Sequence, residues 1–246
     1  MSKNLRIGAV SYLNAKPLIE GIPLDQLTLL PPRNLAEEFE KGSLDVALLP
    51  TYYLLQNQNL RAVRGLGIGC EGTVYSVFIK PVSPEITSFQ TLQASPESMT
   101  SNRLAEVILR KYQKINFTWK DKEAEGEVII GDLAFSFKAA NPTYPLIDLG
   151  DAWWNAVELP FVFALWVIHP RVSKEEAQQA ATLLQNSWNL GKAKIATYAK
   201  TPMEFQYLAH YLRFEHDSRF EKGIQQWQSD LIEIGLLSTQ NTWQWI

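Results

Sequence analysis

Short apolar runs that alternate with amphipathic stretches restrict the fold of the N-terminal half more than any other feature. Leu5–Val10, Leu27–Leu30 and Asp45–Pro50 each have the length of a strand. Between the last two, Leu35–Lys41 has helical periodicity and is followed by Gly42, a residue type that commonly ends helices. Strand, helix and strand at this spacing predict βαβ units on an open sheet with right-handed crossovers.

The middle of the chain predicts a second unit of the same kind. Glu127–Ile130 is a short strand candidate within it, and two longer β-rich runs, Val74–Lys80 and Leu159–Ile168, flank it. We therefore predict an α/β protein whose two lobes are joined by these two runs as crossover strands. Lobe one would comprise residues 1–82 and 159–246, and lobe two the inserted segment 83–158.

The last third of the chain is predicted to be helical. Three capping boxes, in which Ser or Thr is followed three residues later by Glu, each precede apolar residues spaced three or four apart. These boxes are Ser173–Glu176, Thr201–Glu204 and Ser218–Glu221. We expect the helices to pack on lobe one, and the C-terminal Trp243 and Trp245 to dock there too.

Composition and charge exclude several classes of protein. The chain has 23 basic and 26 acidic residues, a net charge of −3, so no nucleic-acid partner is expected. The single cysteine, Cys70, cannot form an intramolecular disulfide, and no Cys/His cluster has zinc-site spacing. The start lacks a secretory signal, and the longest apolar run, Leu159–Ile168, is too short to span a membrane. We expect a cytoplasmic protein without a membrane partner.

One glycine-rich segment matches a nucleotide-binding pattern. Gly67-Ile-Gly69-Cys-Glu-Gly72 has the spacing G-x-G-x-x-G. That motif binds a pyrophosphate only between a strand and a helix N-terminus, whereas these glycines precede the strand candidate Val74–Lys80. We interpret them instead as a close backbone approach near a hinge.

Three segments place small polar residues where a strand ends or a helix begins. They are Ser11–Asn14, Ser98–Ser101, where Thr100 or Ser101 is the predicted cap of a helix, and Gly131-Asp132. In open α/β sheets, ligands bind outside the carboxyl ends of the strands, and helix N-termini hold anions without a cationic side chain. Each segment alone is typical of a simple helix cap. Together they predict a small carboxylate-bearing ligand held between two lobes.

The same segments resemble the chorismate dehydratase family of the futalosine route to menaquinone. The resemblance covers, in order, Ile7–Leu18, Gly42–Pro50, Ile130–Ala134, Asp148–Trp153 and Leu159–Trp166. It implies a periplasmic-binding-protein type 2 fold that closes on its substrate. It also implies the loss of water from chorismate to give 3-enolpyruvylbenzoate, with no metal and no organic cofactor.

The resemblance also implies roles for individual residues. Asn14 corresponds to the family's key polar residue beside the reacting ring. The implied substrate contacts are Ser11, Ser76, Thr100, Ser101, Gly131 and Asp132. Since the motifs contain no histidine or lysine base, we favour proton removal by a carboxylate of the substrate, oriented by Asn14. Asp132 is the alternative base, because desolvation in a closed cleft would raise its pKa.

The chain departs from the family pattern in two places. Met99 stands where the family has an arginine, so any carboxylate contact made by that guanidinium is missing, and Val157-Glu158 replaces Thr-Gly. Two other functions remain open at this level. One is a solute-binding receptor of the same fold, and the other is the sister enzyme of the pathway, which forms a naphthoate from a later intermediate.

Overall fold

Three short N-terminal strands pair in parallel, as the alternating pattern predicted. In the computed structural model, which describes residues 4–246, β1 (Ile7–Ala9) lies between β2 (Leu27–Leu29) and β3 (Val46–Pro50). Helix α1 (Pro32–Glu40) connects β2 to β3. The buried faces of these elements are apolar, which is what allows the parallel strands to be covered.

The first sheet is completed by strands from distant parts of the chain. The further strands are β4 (Arg61–Cys70), β10 (Phe161–Ile168), β11 (Leu212–Glu215) and β12 (Gln244–Trp245). The strand order is β11-β4-β10-β3-β1-β2, with β12 paired to β4. Antiparallel β10 between β3 and β4 makes the sheet mixed. The pairing of β12 confirms that the tryptophan-containing C-terminus docks on the first lobe.

Two of the three glycines of the nucleotide-like pattern, Gly67 and Gly69, lie inside β4, and Gly72 follows it. A Cβ atom at Gly69 would lie 2.6 Å from the carbonyl oxygen of Phe161, and one at Gly67 would collide with the carbonyl oxygen of Ala164. Both carbonyls belong to β10, so the glycines permit the close approach of two strands. Cys70, at the end of β4, is buried, and burial raises the pKa of its thiol.

A second sheet is inserted after β4. Its strands are β5 (Val77–Pro81), β6 (Thr91–Gln93), β7 (Thr118–Trp119), β8 (Gly126–Ile130) and β9 (Ile147–Asp148), in the order β7-β6-β8-β5-β9. Its helices are α3 (Met99–Glu106), α4 (Gly131–Ala140) and α5 (Leu149–Val157). The predicted boundary at residue 82 assigned β5 to lobe one. Instead, β5 hydrogen-bonds to β8 and β9, because the chain already crosses over between residues 71 and 76.

Two connections and one buried ion pair join the lobes. The outgoing connection is residues 71–76 and the return is residues 158–160. The Lys111 Nζ and Tyr112 Oη groups of lobe two donate to the fully buried carboxylate of Asp230, in the C-terminal helix Ser218–Glu233 of lobe one, at 2.8 and 2.7 Å. β10 lies wholly in the first sheet. The chain therefore crosses between the lobes in two short loops, residues 71–76 before β5 and residues 158–160 before β10.

The remaining helices pack on the first lobe. They are α2 (Thr51–Gln56), α6 (Lys174–Ala193), α7 (Ile195–Tyr198), α8 (Pro202–Gln206) and α9 (Ser218–Glu233). The capping boxes at Ser173 and Thr201 are confirmed. The box at Ser218 is wrong, because the carboxylate of Asp217, one residue earlier, caps α9 through the Arg219 amide. No helix of residues 4–246 combines the length and apolarity that a membrane crossing requires.

Asp45 holds three neighbouring segments of the first lobe together. Its carboxylate is 1% exposed and accepts hydrogen bonds from Arg6, before β1, and from Arg171, after β10. Burial alone would raise the pKa of Asp45, but these two guanidinium groups outweigh burial and lower the pKa to about 2. The ionised carboxylate therefore stabilises the folded chain.

Replacing Asp45 with Asn should lower the free energy of unfolding at pH 7 by about 3 kcal/mol, because two guanidinium groups lose their counter-charge. The folded-state pKa lies below the unfolded value of about 3.9. The stabilisation is therefore complete above about pH 4 and is lost as the pH falls towards 2, an amount of about 2.5 kcal/mol. Urea denaturation of both proteins between pH 2.5 and 7 measures this difference.

Glu38→Gln is the matched control, because Glu38 pairs with Lys41 on an exposed helix end. It should leave the stability nearly unchanged, because exposed ion pairs contribute little. An Asp45→Asn protein as stable as the wild type at pH 7 would contradict the assignment.

Candidate functional site

A cavity between the two sheets is walled by both lobes. It contains about 660 Å³ of atom-free space, part of it open to solvent. Its walls are mainly apolar, with polar groups contributed by Tyr12, Asn14, Ser76, Ser98, Thr100 and Ser101. The position agrees with the crevice predicted at the strand ends.

Five of the seven predicted site residues line this cavity. They are Asn14, Ser76, Thr100, Ser101 and Gly131. They come from segments far apart in the chain, and the two lobes bring them to one space. A common wall is what a shared ligand site requires.

The other two predicted residues lie outside the cavity lining. Ser11 is exposed at the end of β1. Asp132 is also exposed, and its Oδ1 accepts a hydrogen bond from the Leu13 amide at 3.3 Å. The Asp132 carboxylate thus connects α4 of lobe two to lobe one, and it lines a separate groove with Lys16 and Lys200.

Asn14 belongs to a chain of hydrogen bonds that crosses the back of the cavity. It lies on the 3-10 helix Leu13–Leu18, directly after β1. Its Nδ2 donates to the hydroxyl of Tyr207 at 3.3 Å, and that hydroxyl donates to the Oγ of Ser76 at 2.9 Å. The Oδ1 of Asn14 is buried and has no hydrogen-bond partner among the described residues. A ligand donor can therefore satisfy it.

Tyr207 is the site residue that sequence reasoning missed. It lies on the π-helical segment Tyr207–Tyr211 that extends α8, and its side chain is buried. Burial raises the pKa of Tyr207 to about 12, so the phenol stays protonated at neutral pH. An aromatic residue in a helical stretch is typical of core packing, so no local signal distinguished it.

The first turn of α3 presents donors to the cavity. Ser98 is the N-cap and accepts from the Ser101 amide at 3.0 Å, so the predicted cap at Thr100 or Ser101 is wrong by two or three residues. The Oγ1 of Thr100 accepts from the Tyr52 amide of lobe one at 3.1 Å, which leaves its O–H free to donate. The early amides of a helix have no partner within the helix, so this end favours an anion.

A contact across the cavity mouth joins the lobes again. The Tyr12 hydroxyl donates to the Glu97 carboxylate at 2.5 Å. Partial burial, together with this carboxylate, raises the pKa of the Tyr12 phenol. Gly131 has φ +62°, and a Cβ atom added to it would lie 3.5 Å from the Tyr12 ring. Lobe two thus approaches Tyr12 at two points.

No Lys, Arg or His is among the described residues that line the cavity. Within residues 4–246, no group of three His, Cys, Asp or Glu is arranged to hold a metal ion. Met99 is 40% exposed and lines the neighbouring groove beside Arg33 and Glu37. Neutral hydroxyls, amides and a helix end therefore provide the polar groups of the site, with Glu97 at its rim.

The fold and cavity define a two-lobed α/β protein whose cavity lies between the lobes. The profile of the menaquinone biosynthesis family matches residues 5–228, and the chain belongs to that family. The family expected from the sequence motifs is thereby confirmed. A curated relative, the chorismate dehydratase of Thermus thermophilus, is 26% identical over 187 residues, which are 65% of this chain and 68% of the relative.

Solved structures confirm the expected fold. A protein from Archaeoglobus fulgidus aligns with TM-score 0.74 at 12% identity, covering 95% of this chain and 98% of that chain. The periplasmic aliphatic sulphonate binding protein of Escherichia coli aligns with TM-score 0.65 at 15% identity, covering 98% and 96%. The chain therefore has the periplasmic-binding-protein fold.

Replacing Thr100 with Val should lower the free energy of unfolding by about 1–3 kcal/mol, because the isosteric side chain leaves the buried Tyr52 amide without an acceptor. Urea denaturation at neutral pH measures the loss. Thr100→Ser keeps the oxygen and should recover most of the stability. A Thr100→Val protein as stable as the wild type would contradict this role of the Thr100 hydroxyl.

Proposed function

We propose that this chain is a hydro-lyase that dehydrates chorismate to 3-enolpyruvylbenzoate in menaquinone biosynthesis. Membership of the menaquinone biosynthesis family and the similarity to a chorismate dehydratase support this reaction. The family's biosynthetic role favours the cytoplasm as its compartment. The observation that carries the proposal is the buried Oδ1 of Asn14 at the cavity between the lobes, which has no hydrogen-bond partner among residues 4–246.

The substrate is a dicarboxylate, and the cavity offers neutral groups that suit one carboxylate. The early amides of α3 and the hydroxyls of Thr100 and Ser101 lie together on the wall of lobe two. Helix N-termini stabilise anions through their free amides and the helix dipole. The acidic Glu97 at the rim disfavours the second carboxylate there, so we direct that group towards the hydroxyl of Ser76, whose proton is free to donate.

The reaction removes one ring proton and one ring hydroxide. The electron pair of the broken C–H bond forms the new ring double bond, hydroxide leaves with the C–O pair, and proton and hydroxide together make water. No imidazole or amine side chain lines the cavity within the described chain. We therefore assign the base to the substrate's own carboxylate, since good intramolecular alignment is worth roughly 7–11 kcal/mol.

In this mechanism Asn14 orients the reacting groups. Its Oδ1 accepts a hydrogen bond from the substrate, while its Nδ2 is already committed to Tyr207. Asp132 remains the alternative base. Its carboxylate lies outside the cavity lining and is engaged by the Leu13 amide, which favours a role in joining the lobes.

The solute-binding receptor is the second candidate function. The structural match to a sulphonate binding protein over nearly the whole chain favours it. One assay separates the candidates: purified protein is mixed with chorismate and followed by ultraviolet absorbance and mass spectrometry. A product lighter by one water supports dehydration, whereas binding without change supports a receptor. Neither binding nor turnover would favour the sister naphthoate-forming enzyme.

Replacing Asn14 with Ala should lower kcat on chorismate by about 100-fold while changing the dissociation constant less than about threefold, because the amide positions the reacting groups. Steady-state kinetics and calorimetric binding measure the two effects. Asn155→Ala, on the exposed face of α5, is the control and should leave both constants unchanged. Equal losses in turnover and affinity would make Asn14 a binding residue only.

Replacing Asp132 with Asn should retain at least about a third of the wild-type kcat. The remaining amide oxygen can still accept from Leu13, whereas a catalytic base would be lost at a cost of about 10²–10⁴-fold. Initial rates across pH 5–9 test this difference. A folded but inactive Asp132→Asn protein would identify Asp132 as the base.

A further inference from the structure

Tyr207 lies behind the cavity and touches two of its polar wall residues. Its side chain is 2% exposed and it does not line the cavity. Its hydroxyl accepts from Asn14 Nδ2 at 3.3 Å and donates to Ser76 Oγ at 2.9 Å. Asn14 and Ser76 both line the cavity. Tyr207 therefore reaches the ligand space only through these neighbours.

The direction of this hydrogen-bond chain decides how Asn14 faces the ligand. A side-chain amide has a donor end and an acceptor end, and turning it by half a turn exchanges them. The Tyr207 hydroxyl donates its proton to Ser76, so the phenol oxygen can act only as an acceptor towards other groups. Such an oxygen attracts the NH₂ end of Asn14. The acceptor end, Oδ1, is thereby kept for the ligand.

The same direction sets the polarity of Ser76. Its Oγ already accepts from Tyr207, so its own proton is free to donate. The Tyr207 hydroxyl thus keeps an acceptor on one wall residue and a donor on the other. Removal of a ring proton together with a hydroxide leaving group makes use of both kinds of group.

Tyr207 is itself held firmly at the junction of the lobes. Its ring packs on Phe135 of lobe two, with ring centres 5.1 Å apart. Ser76 is the last residue of the outgoing connection before β5. Asn14 belongs to lobe one. The phenol therefore connects both lobes and the hinge at one point.

We propose that Tyr207 is a positioning residue for the dehydration, whose hydroxyl fixes the orientation of the Asn14 amide and the Ser76 hydroxyl towards the substrate. This inference rests on the proposed function for its kinetic consequences. Its structural content, the orientation of the Asn14 amide, does not depend on the identity of the substrate.

The kinetic test replaces Tyr207 with Phe, which keeps the ring and removes the hydroxyl. The expected result is a fall in kcat on chorismate of about 10- to 100-fold with KM changed less than about threefold. Tyr211→Phe removes a hydroxyl from the same π-helical segment, leaves the ring stacked on Tyr75, and should leave kcat unchanged. A rise in KM at constant kcat would overturn the proposal.

A double variant tests whether Tyr207 acts through Asn14. In an Asn14→Ala background, Tyr207→Phe should lower kcat by less than about threefold further, because effects that pass through one group are not additive. Losses that multiply fully would show that Tyr207 acts independently of Asn14 and would overturn the proposal.

Nuclear magnetic resonance of the Asn14 side-chain amide tests the positioning without any reaction. Tyr207→Phe should shift the Asn14 amide proton resonances and speed their exchange with solvent, whereas Tyr211→Phe should not. Ser76→Ala provides a second variant, since a phenol without its acceptor can turn its proton to Asn14, and it should shift the same resonances.

Unchanged Asn14 resonances in both Tyr207→Phe and Ser76→Ala would overturn the positioning role. If the wild-type protein fails to dehydrate chorismate, the proposed function is wrong, and the resonances alone decide on Tyr207. Shifted resonances with an inactive wild type would retain the positioning role for a different ligand.

Discussion

The carboxylate of Asp148 joins the outgoing connection between the lobes to the first turn of α5. Its oxygens accept from the amides of Val74 and Tyr75, in the outgoing connection, at 3.1 and 2.8 Å. They also accept from Gly150 and Asp151, in the first turn of α5, at 2.9 and 3.0 Å. One side chain thereby ties the hinge to the helix that leads back to lobe one. Val74 also lines the cavity, so this contact fixes part of the cavity wall.

The chemistry of the cavity follows from neutral groups held in fixed directions. A helix end, two hydroxyls and one amide replace the cationic side chains that anion sites often use. Their directions are set by contacts outside the ligand space, namely the Tyr52 amide on Thr100 and the Tyr207 hydroxyl on Asn14. Preorganised dipoles of this kind need no reorganisation when charge develops. The structure therefore already contains this polar alignment.

The same fold also occurs in solute-binding proteins, so the fold alone does not determine the reaction. The difference lies in what the cavity does to a bound molecule. In a receptor every buried polar group of the wall serves retention, whereas here the wall carries the acceptor Oδ1 of Asn14 and the hydroxyl of Ser76, whose proton is free to donate. Such a pair suits the removal of a proton and a hydroxide from neighbouring atoms. The site rather than the architecture thus supports the proposed lyase.

Sequence patterns alone determined the parallel strands β1–β3 and two helix starts at capping boxes, since these depend on local periodicity or short hydrogen bonds. The segments of Asn14, Thr100, Ser101 and Gly131 were predicted from their position at strand ends and helix starts, whereas Ser76 was implied only by the family resemblance. Tertiary structure decided the rest. β4 and β11 pair through distant segments, and Asp217 displaced Ser218 as a cap. Tyr207 contacts Asn14 across 193 positions of the chain. No local pattern encodes such a contact, because only the packing of separate elements brings the two side chains together.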